Sequence, residues 1–207
     1  MTLGASLVAL QTESAQCAAL IATAHRLDQT GLPIFSVAER EMITTAAFLN
    51  FFKLWERFLE ESIAKYLSGK RPIGGAYLKK RASPRDEDSA RNMLIGVMKF
   101  FDYANHDNVR KIARIYFDGG GPFEPHLSAV FTDLGDLRIM RNAAAHISST
   151  TQTSLEGLAQ RLFVTPQPNI TLYDMLLRAD PRSATGETVF ASYQAKLLAT
   201  AELIARG

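Results

Sequence analysis

The sequence predicts an all-α protein, a bundle of about four long helices with accessory helices toward the C-terminal end. Three observations carry this. Apolar residues recur every three or four positions along most of the chain, which is the spacing of one helix face. Strict alternation of apolar and polar residues, the mark of a half-buried strand, is scarce. Glycine and proline gather in a few stretches, "TGLPIF", "KRPIGGAYLKK", "DGGGP" and "TPQPN", which divide the helical runs from one another. At 207 residues, with 47% hydrophobic and 21% charged, the chain is expected to form one domain with a sizeable core.

In chain order, a first helix is expected over about residues 3 to 28, ended by Gly31 and Pro33. It is Ala- and Leu-rich, lacks a basic start and carries Glu13, so it reads as an ordinary helix and not as a signal peptide. The second helix carries the strongest signals. Ser36 and Glu39 have capping-box spacing, in which each side chain satisfies a free backbone N–H of the other. Phe48, Phe51, Phe52, Trp55, Phe58, Leu59, Ile63 and Tyr66 then follow at helical spacing and predict a buried stripe. Arg57 with Glu61, and Glu61 with Lys65, are spaced to pair on a wet face, and Gly69 ends the run.

A third helix is expected over about 88 to 104, with Met93, Val97, Phe100 and Phe101 inward, and a short one over about 108 to 117. The "DGGGP" run follows no strand and lacks the Lys-Ser/Thr of a phosphate-binding loop, so it reads as punctuation. A fourth long helix is expected from Pro125 to Ser149. Beyond it come helices near 154 to 163, over "LYDMLLRA", and over about 187 to 205 with Val189, Tyr193, Leu197, Ala201 and Ile204 as a stripe.

Composition excludes several functions. A net charge of +2 gives no global attraction for nucleic acid, so any anion-binding surface must be local. Cys17 is the single cysteine, which rules out an intrachain disulfide and a cysteine-based zinc site and fits a reducing compartment. No run of about 18 apolar residues suggests a membrane span. The expected location is the cytoplasm, with no membrane partner, no metal and no cofactor.

Two stretches are candidates for chemistry. Residues 70 to 88 carry Lys70, Arg71, Lys79, Lys80, Arg81 and Arg85 with no acid interleaved between them. One reading is a flexible arm in which Lys79, Lys80 and Arg81 grip RNA phosphates and Tyr77 stacks on a base. The other is a solvated loop, which charge runs usually are.

The second stretch is "DLRIMRNAAAHISS", from Asp136 to Ser149. At about 100° per residue, Leu137, Ile139, Met140, Ala143, Ala144 and Ile147 fall on one side of a helix, able to pack. Arg138, Arg141, Asn142, Ala145 and His146 fall on the other. Arginine supplies forked, permanently charged donors suited to phosphate oxygens. Histidine alone titrates near neutral pH and can move a proton. Arginine and histidine without an acid cluster point to metal-free attack on a phosphodiester, and RNA brings its own nucleophile in the 2′-hydroxyl. The competing reading is structural, with Arg138 and Arg141 serving carbonyls or Asp133 and Asp136. Ala143 to Ala145 are small enough to let another helix approach closely, so a twin helix would bring two copies of the cluster together.

Arg141-Asn142-Ala-Ala-Ala-His146 is an Arg, a polar residue, three residues and a His near the end of a late helix. This resembles the HEPN superfamily of helical nucleotide-binding domains. The second helix, "FFKLWERFLEESIAKYL", looks like the matching helix of the HEPN branches in prokaryotic defence and toxin systems. The resemblance covers about residues 36 to 150, a HEPN-like core, and leaves 151 to 207 as a C-terminal helical extension. It implies a homodimer through the helix bearing Arg141 and His146, with a metal-independent endoribonuclease cleft at the interface. In that reading His146 is the general acid or base, Arg141 stabilises the scissile phosphate, and Asn142 supports both; Arg138 is added from the helical wheel. A non-catalytic HEPN-type module that binds RNA or protein is the alternative. The resemblance allows for an antitoxin or defence partner protein. One toxin branch has a tyrosine two residues after the histidine for modification by a partner nucleotidyltransferase; Ser148 stands there, which does not support that partner.

Overall fold

In the computed structural model the described residues are 3–75, 77–96, 100–146 and 148–207. They form nine α-helices and no strand: α1 (Leu3–Ala24), α2 (Val37–Leu67), α3 (Glu87–Ile95), α4 (His106–Tyr116), α5 (Phe123–Ala129), α6 (Phe131–Ala145), α7 (Ser149–Phe163), α8 (Leu172–Leu177) and α9 (Val189–Arg206). The fold is all-α, with only isolated backbone bridges such as Lys80 with Phe117. Among the described residues no helix is long and apolar enough to cross a membrane.

The chain groups into two compact units. One comprises Met1–Thr12, Leu54–Phe131 and Leu197–Gly207; the other comprises Glu13–Lys53 and Thr132–Lys196.

The first unit is organised by the second half of α2. Trp55, Leu59, Ile63 and Tyr66 are at most 1% exposed, as the aromatic stripe predicts. The Tyr66 ring meets Phe117 and Phe123 edge-on, and its hydroxyl donates to the Ile204 carbonyl. Trp55 donates its indole N–H to Nε2 of the buried His106 at 3.0 Å, which gives a polar atom in this core a partner. Lys65 departs from the expected wet face. It is 2% exposed, 2.9 Å from Glu61, and hydrogen-bonded to Ser6 of α1. A buried ammonium needs such partners to remain charged.

Helix α3 is shorter than predicted. Asp86 caps its start by accepting from the Ser89 N–H, and Gly96, at φ 57°, turns the chain out after Ile95. Ala90 and Leu94 face inward, whereas Phe100 is 71% exposed and Phe101 is half-buried; Val97 lies outside the described residues. The glycine run is a tight turn between α4 and α5, and a Cβ on Gly120 would stand 2.7 Å from that of Glu124. Only glycine fits so close an approach at a positive φ.

The second unit begins α2 with the predicted capping box. Ser36 Oγ accepts from the Glu39 N–H at 3.3 Å, and Glu39 accepts from the Ser36 N–H at 2.8 Å. Phe48, Phe51 and Phe52 are each 1% exposed, and Phe51 meets Phe190 of α9 edge-on. Cys17 is buried, with Asn50 donating to its sulfur at 3.4 Å; burial pushes its thiol pKa up.

The single long helix expected from Pro125 to Ser149 is two helices. Val130, at φ −112° and ψ 22°, leaves helical geometry between α5 and α6. Helix α6 then stops at Ala145, because Ser148 is extended and starts α7 through a capping box with Thr151. That box also begins α7 at Ser149, earlier than the expected position near 154.

Candidate functional site

Helix α6 separates its acids from its bases. Leu134, Leu137 and Met140 are at most 1% exposed and fix the inward face. Asp136 is also buried, at 2%, accepts from the Tyr193 hydroxyl at 2.6 Å, and is paired with Arg161. Asp133 is engaged by Lys196 at 2.7 Å and by Arg182 at 3.4 Å. Both acids that Arg138 and Arg141 were expected to serve in a structural role therefore have other cations. Among the described residues neither Arg138 nor Arg141 forms an ion pair.

On the outward side Arg138 is exposed, and Arg141 and Asn142 are half-buried. The Arg141 guanidinium donates to the Asn142 side-chain carbonyl at 3.3 Å. That bond leaves the Asn142 amide N–H groups free to donate elsewhere. Ala143 and Ala144 are half-buried rather than core, and Ile147 lies outside the described residues.

His146 is not within the helix, as the wheel assumed, but is the first residue after it. Its N–H still bonds the Asn142 carbonyl at 2.9 Å, so its backbone continues the last turn of α6. Its own carbonyl accepts from Thr151 Oγ1 of α7 at 2.7 Å. The backbone of His146 is thus held on both sides while its side chain is exposed. Among the described residues the imidazole has no hydrogen-bond partner.

His146 borders an open pocket of about 450 Å³. Ala143 and Ala144 of α6, Leu155 of α7 and Leu172 of α8 form its apolar walls. Glu41 and Thr45 reach it from α2, and Ser148, Ser149, Thr151 and Gln152 from the start of α7. Arg138, Arg141 and Asn142 do not line it. The pocket thus joins His146 to polar residues that sequence reading left out. Only the Ser148–Thr151 spacing carried a local signal for any of them, as a capping box.

The basic stretch belongs to the other unit and proves less loose than a flexible arm. The Arg81 N–H bonds the Tyr116 carbonyl at 2.8 Å, and the Asp118 N–H bonds the Lys79 carbonyl at 2.9 Å. Lys80 sends its ammonium to the Leu67 carbonyl at the C-terminus of α2, a capping role. Arg81 lies 3.8 Å from Asp118, with both side chains 62% exposed. Tyr77 is 68% exposed, with the Arg71 guanidinium 4.0 Å from its ring centroid, so one ring face is already covered. Lys79 is exposed.

Among the described residues no group of three or more His, Cys, Asp or Glu side chains is placed to hold a metal ion. No protein-family model matches the chain, and no curated protein and no solved structure matches it either.

Proposed function

We propose that the chain is a metal-independent endoribonuclease of HEPN type, working in a toxin–antitoxin or antiviral defence setting in the cytoplasm, with its cleft formed across a homodimer. The observation that carries this reading is the state of the α6 bases. Among the described residues Arg138 and Arg141 are left without an acid partner while both α6 acids are neutralised by other residues, and His146 stands exposed one turn beyond Asn142. Guanidinium and imidazole groups that hold no acid among the described residues suit a substrate that supplies the negative charge.

In the proposed reaction His146 acts as general base or acid as the 2′-oxygen of RNA attacks the adjacent phosphorus. The new 2′-oxygen–phosphorus bond forms as the bond to the 5′-oxygen breaks, leaving a 2′,3′-cyclic phosphate and a free 5′-hydroxyl. A proton passes from the 2′-hydroxyl to the base and another reaches the departing 5′-oxygen. Arg141 would stabilise charge gathering on the phosphate oxygens, with the Asn142 amide donating beside it.

One observation favours the alternative, a HEPN-type module that only binds RNA or protein. A catalytic imidazole is normally oriented by a second group, and among the described residues that of His146 has none. The test incubates purified protein with RNA in excess chelator. Cleavage that persists with chelator and is lost in His146→Ala supports the enzyme. Cleavage by His146→Ala at the wild-type rate sinks the proposed site, and binding without any cleavage leaves the binding module. Sedimentation that finds only monomer at tens of micromolar would remove the shared cleft.

A further inference from the structure

The pocket beside His146 contains a group that the cleavage chemistry does not use. Glu41 lines it from the start of α2, is exposed, and among the described residues has neither a hydrogen bond nor an ion pair. Its neighbours on α2 differ: Glu39 is spent on the Ser36 cap. Gln152, on the α7 side, is oriented. Its amide nitrogen donates to Glu156 at 3.0 Å and to the Ile170 carbonyl at 3.1 Å, so its side-chain oxygen is left as an acceptor. The pocket is therefore lined by two residues with acceptor capacity to spare, Glu41 and Gln152, together with Thr45, Ser149, Leu155 and Leu172.

A carboxylate, with two acceptor oxygens side by side, selects a ligand edge with two adjacent donors. Among the four RNA bases only guanine has this on its Watson–Crick edge, with N1–H next to the N2 amino group, and a carboxylate can take both. Uracil offers one N–H between two carbonyl oxygens. Adenine and cytosine each place an amino group beside a bare ring nitrogen, which a carboxylate repels. A pocket of about 450 Å³ accommodates one nucleoside-sized ligand, and aliphatic walls suit the faces of a purine.

We infer that this pocket is a guanine-recognition subsite in which Glu41 accepts the N1–H and N2–H of the base. Placed beside His146, it would direct cutting to the phosphate next to a guanosine; this last step alone rests on the ribonuclease reading above. Recognition by a site built to match polar groups discriminates strongly, because the wrong base leaves the acceptor facing another acceptor.

Calorimetric titration of the full chain with the 3′-monophosphates of guanosine, adenosine, cytidine, uridine and inosine tests the subsite without any cleavage. The expected result is tightest binding by the guanosine nucleotide, by on the order of tenfold or more over the other three common bases. Inosine, which lacks the N2 amino group, should fall between. Glu41→Gln should abolish the preference while melting at the wild-type temperature, since Glu41 holds no other residue among the described ones. Equal binding of all the nucleotides, no binding at millimolar concentration, or a Glu41→Gln protein with the wild-type preference would overturn the inference. Guanosine binding without RNA cleavage would leave the subsite standing and remove the nuclease. Chelator-resistant cleavage with no guanosine preference would do the reverse.

Discussion

Tyr193 of α9 donates its hydroxyl to Asp136 of α6 at 2.6 Å, across 57 residues of sequence, and both residues are at most 2% exposed. Burial first, and the Asp136 bond second, push the tyrosine pKa far up, so the hydroxyl stays a donor. Arg161 supplies the charge that balances the carboxylate, and its own pKa is raised by that bond. Removing the hydroxyl leaves a buried carboxylate short of one donor. Tyr193→Phe is expected to lower stability by about 1–3 kcal/mol in urea titration, with an unchanged far-ultraviolet spectrum. A variant as stable as wild type would mean that Arg161 satisfies Asp136 alone.

The cations on the opposite side of α6 should behave in the other way. Arg138 and Arg141 hold no acid among the described residues, and Arg138 is exposed. Replacing Arg138 with Ala should shift unfolding by less than about 0.5 kcal/mol. Among the described residues Arg141→Ala removes a single side-chain bond, the 3.3 Å one to Asn142, and should also be mild in stability. On cleavage the expected effect of Arg141→Ala is large, a loss equal to roughly 2–4 kcal/mol of transition-state stabilisation. Single-turnover rates beside urea titrations of the same proteins would show the split. A structural arginine would lose both together.

The contrast between these residues explains what could be read from sequence. The α2 stripe from Phe48 to Tyr66 and the Ser36–Glu39 cap were legible because helical periodicity and capping act within a few residues. Lys65 was misplaced because its burial depends on Ser6, 59 residues away, which no local pattern reports. The end of α6 was set too late because apolar spacing runs on past Ala145, while Ser148 and Thr151 start a new helix with a cap of their own. Arg141, Asn142 and His146 stand out in the sequence as a cluster of polar side chains. Glu41 does not, since an acid near a helix start reads as a solvated face until tertiary structure brings α7 and α8 beside it.

Helix α3 offers a pH signature. Asp86 accepts from the Ser89 N–H at 2.7 Å and from Arg85 at 3.0 Å. The bonds from Ser89, chiefly, hold its pKa down at about 2. An acid whose pKa is lower in the folded state contributes stability above its unfolded value of about 3.9 and loses it as pH falls toward about 2. Asp86→Ala should therefore melt below wild type near neutral pH, and the two should converge as pH drops from about 4 toward 2. A difference in melting temperature that stays constant over that range would assign the cap another origin.

The basic stretch divides by what each cation already holds. Lys79 is exposed and its side chain is free of an ion pair among the described residues, while Arg81 has only the solvent-exposed contact to Asp118 at 3.8 Å, of a kind worth little. Both remain able to meet a phosphate. Lys80 instead caps α2 through Leu67. Each phosphate contact to single-stranded RNA contributes about 0.7 to the slope of log affinity against log salt. Losing Lys79 and Arg81 together should flatten that slope by roughly 1.4 if each meets one phosphate. Lys80→Met should leave the slope nearly intact and lower stability by about 0.3–1 kcal/mol, through the lost charge at the helix C-terminus. An unchanged slope in the Lys79→Ala, Arg81→Ala protein would return the stretch to a solvated loop. A large slope change in Lys80→Met would show its ammonium leaving Leu67 to bind RNA.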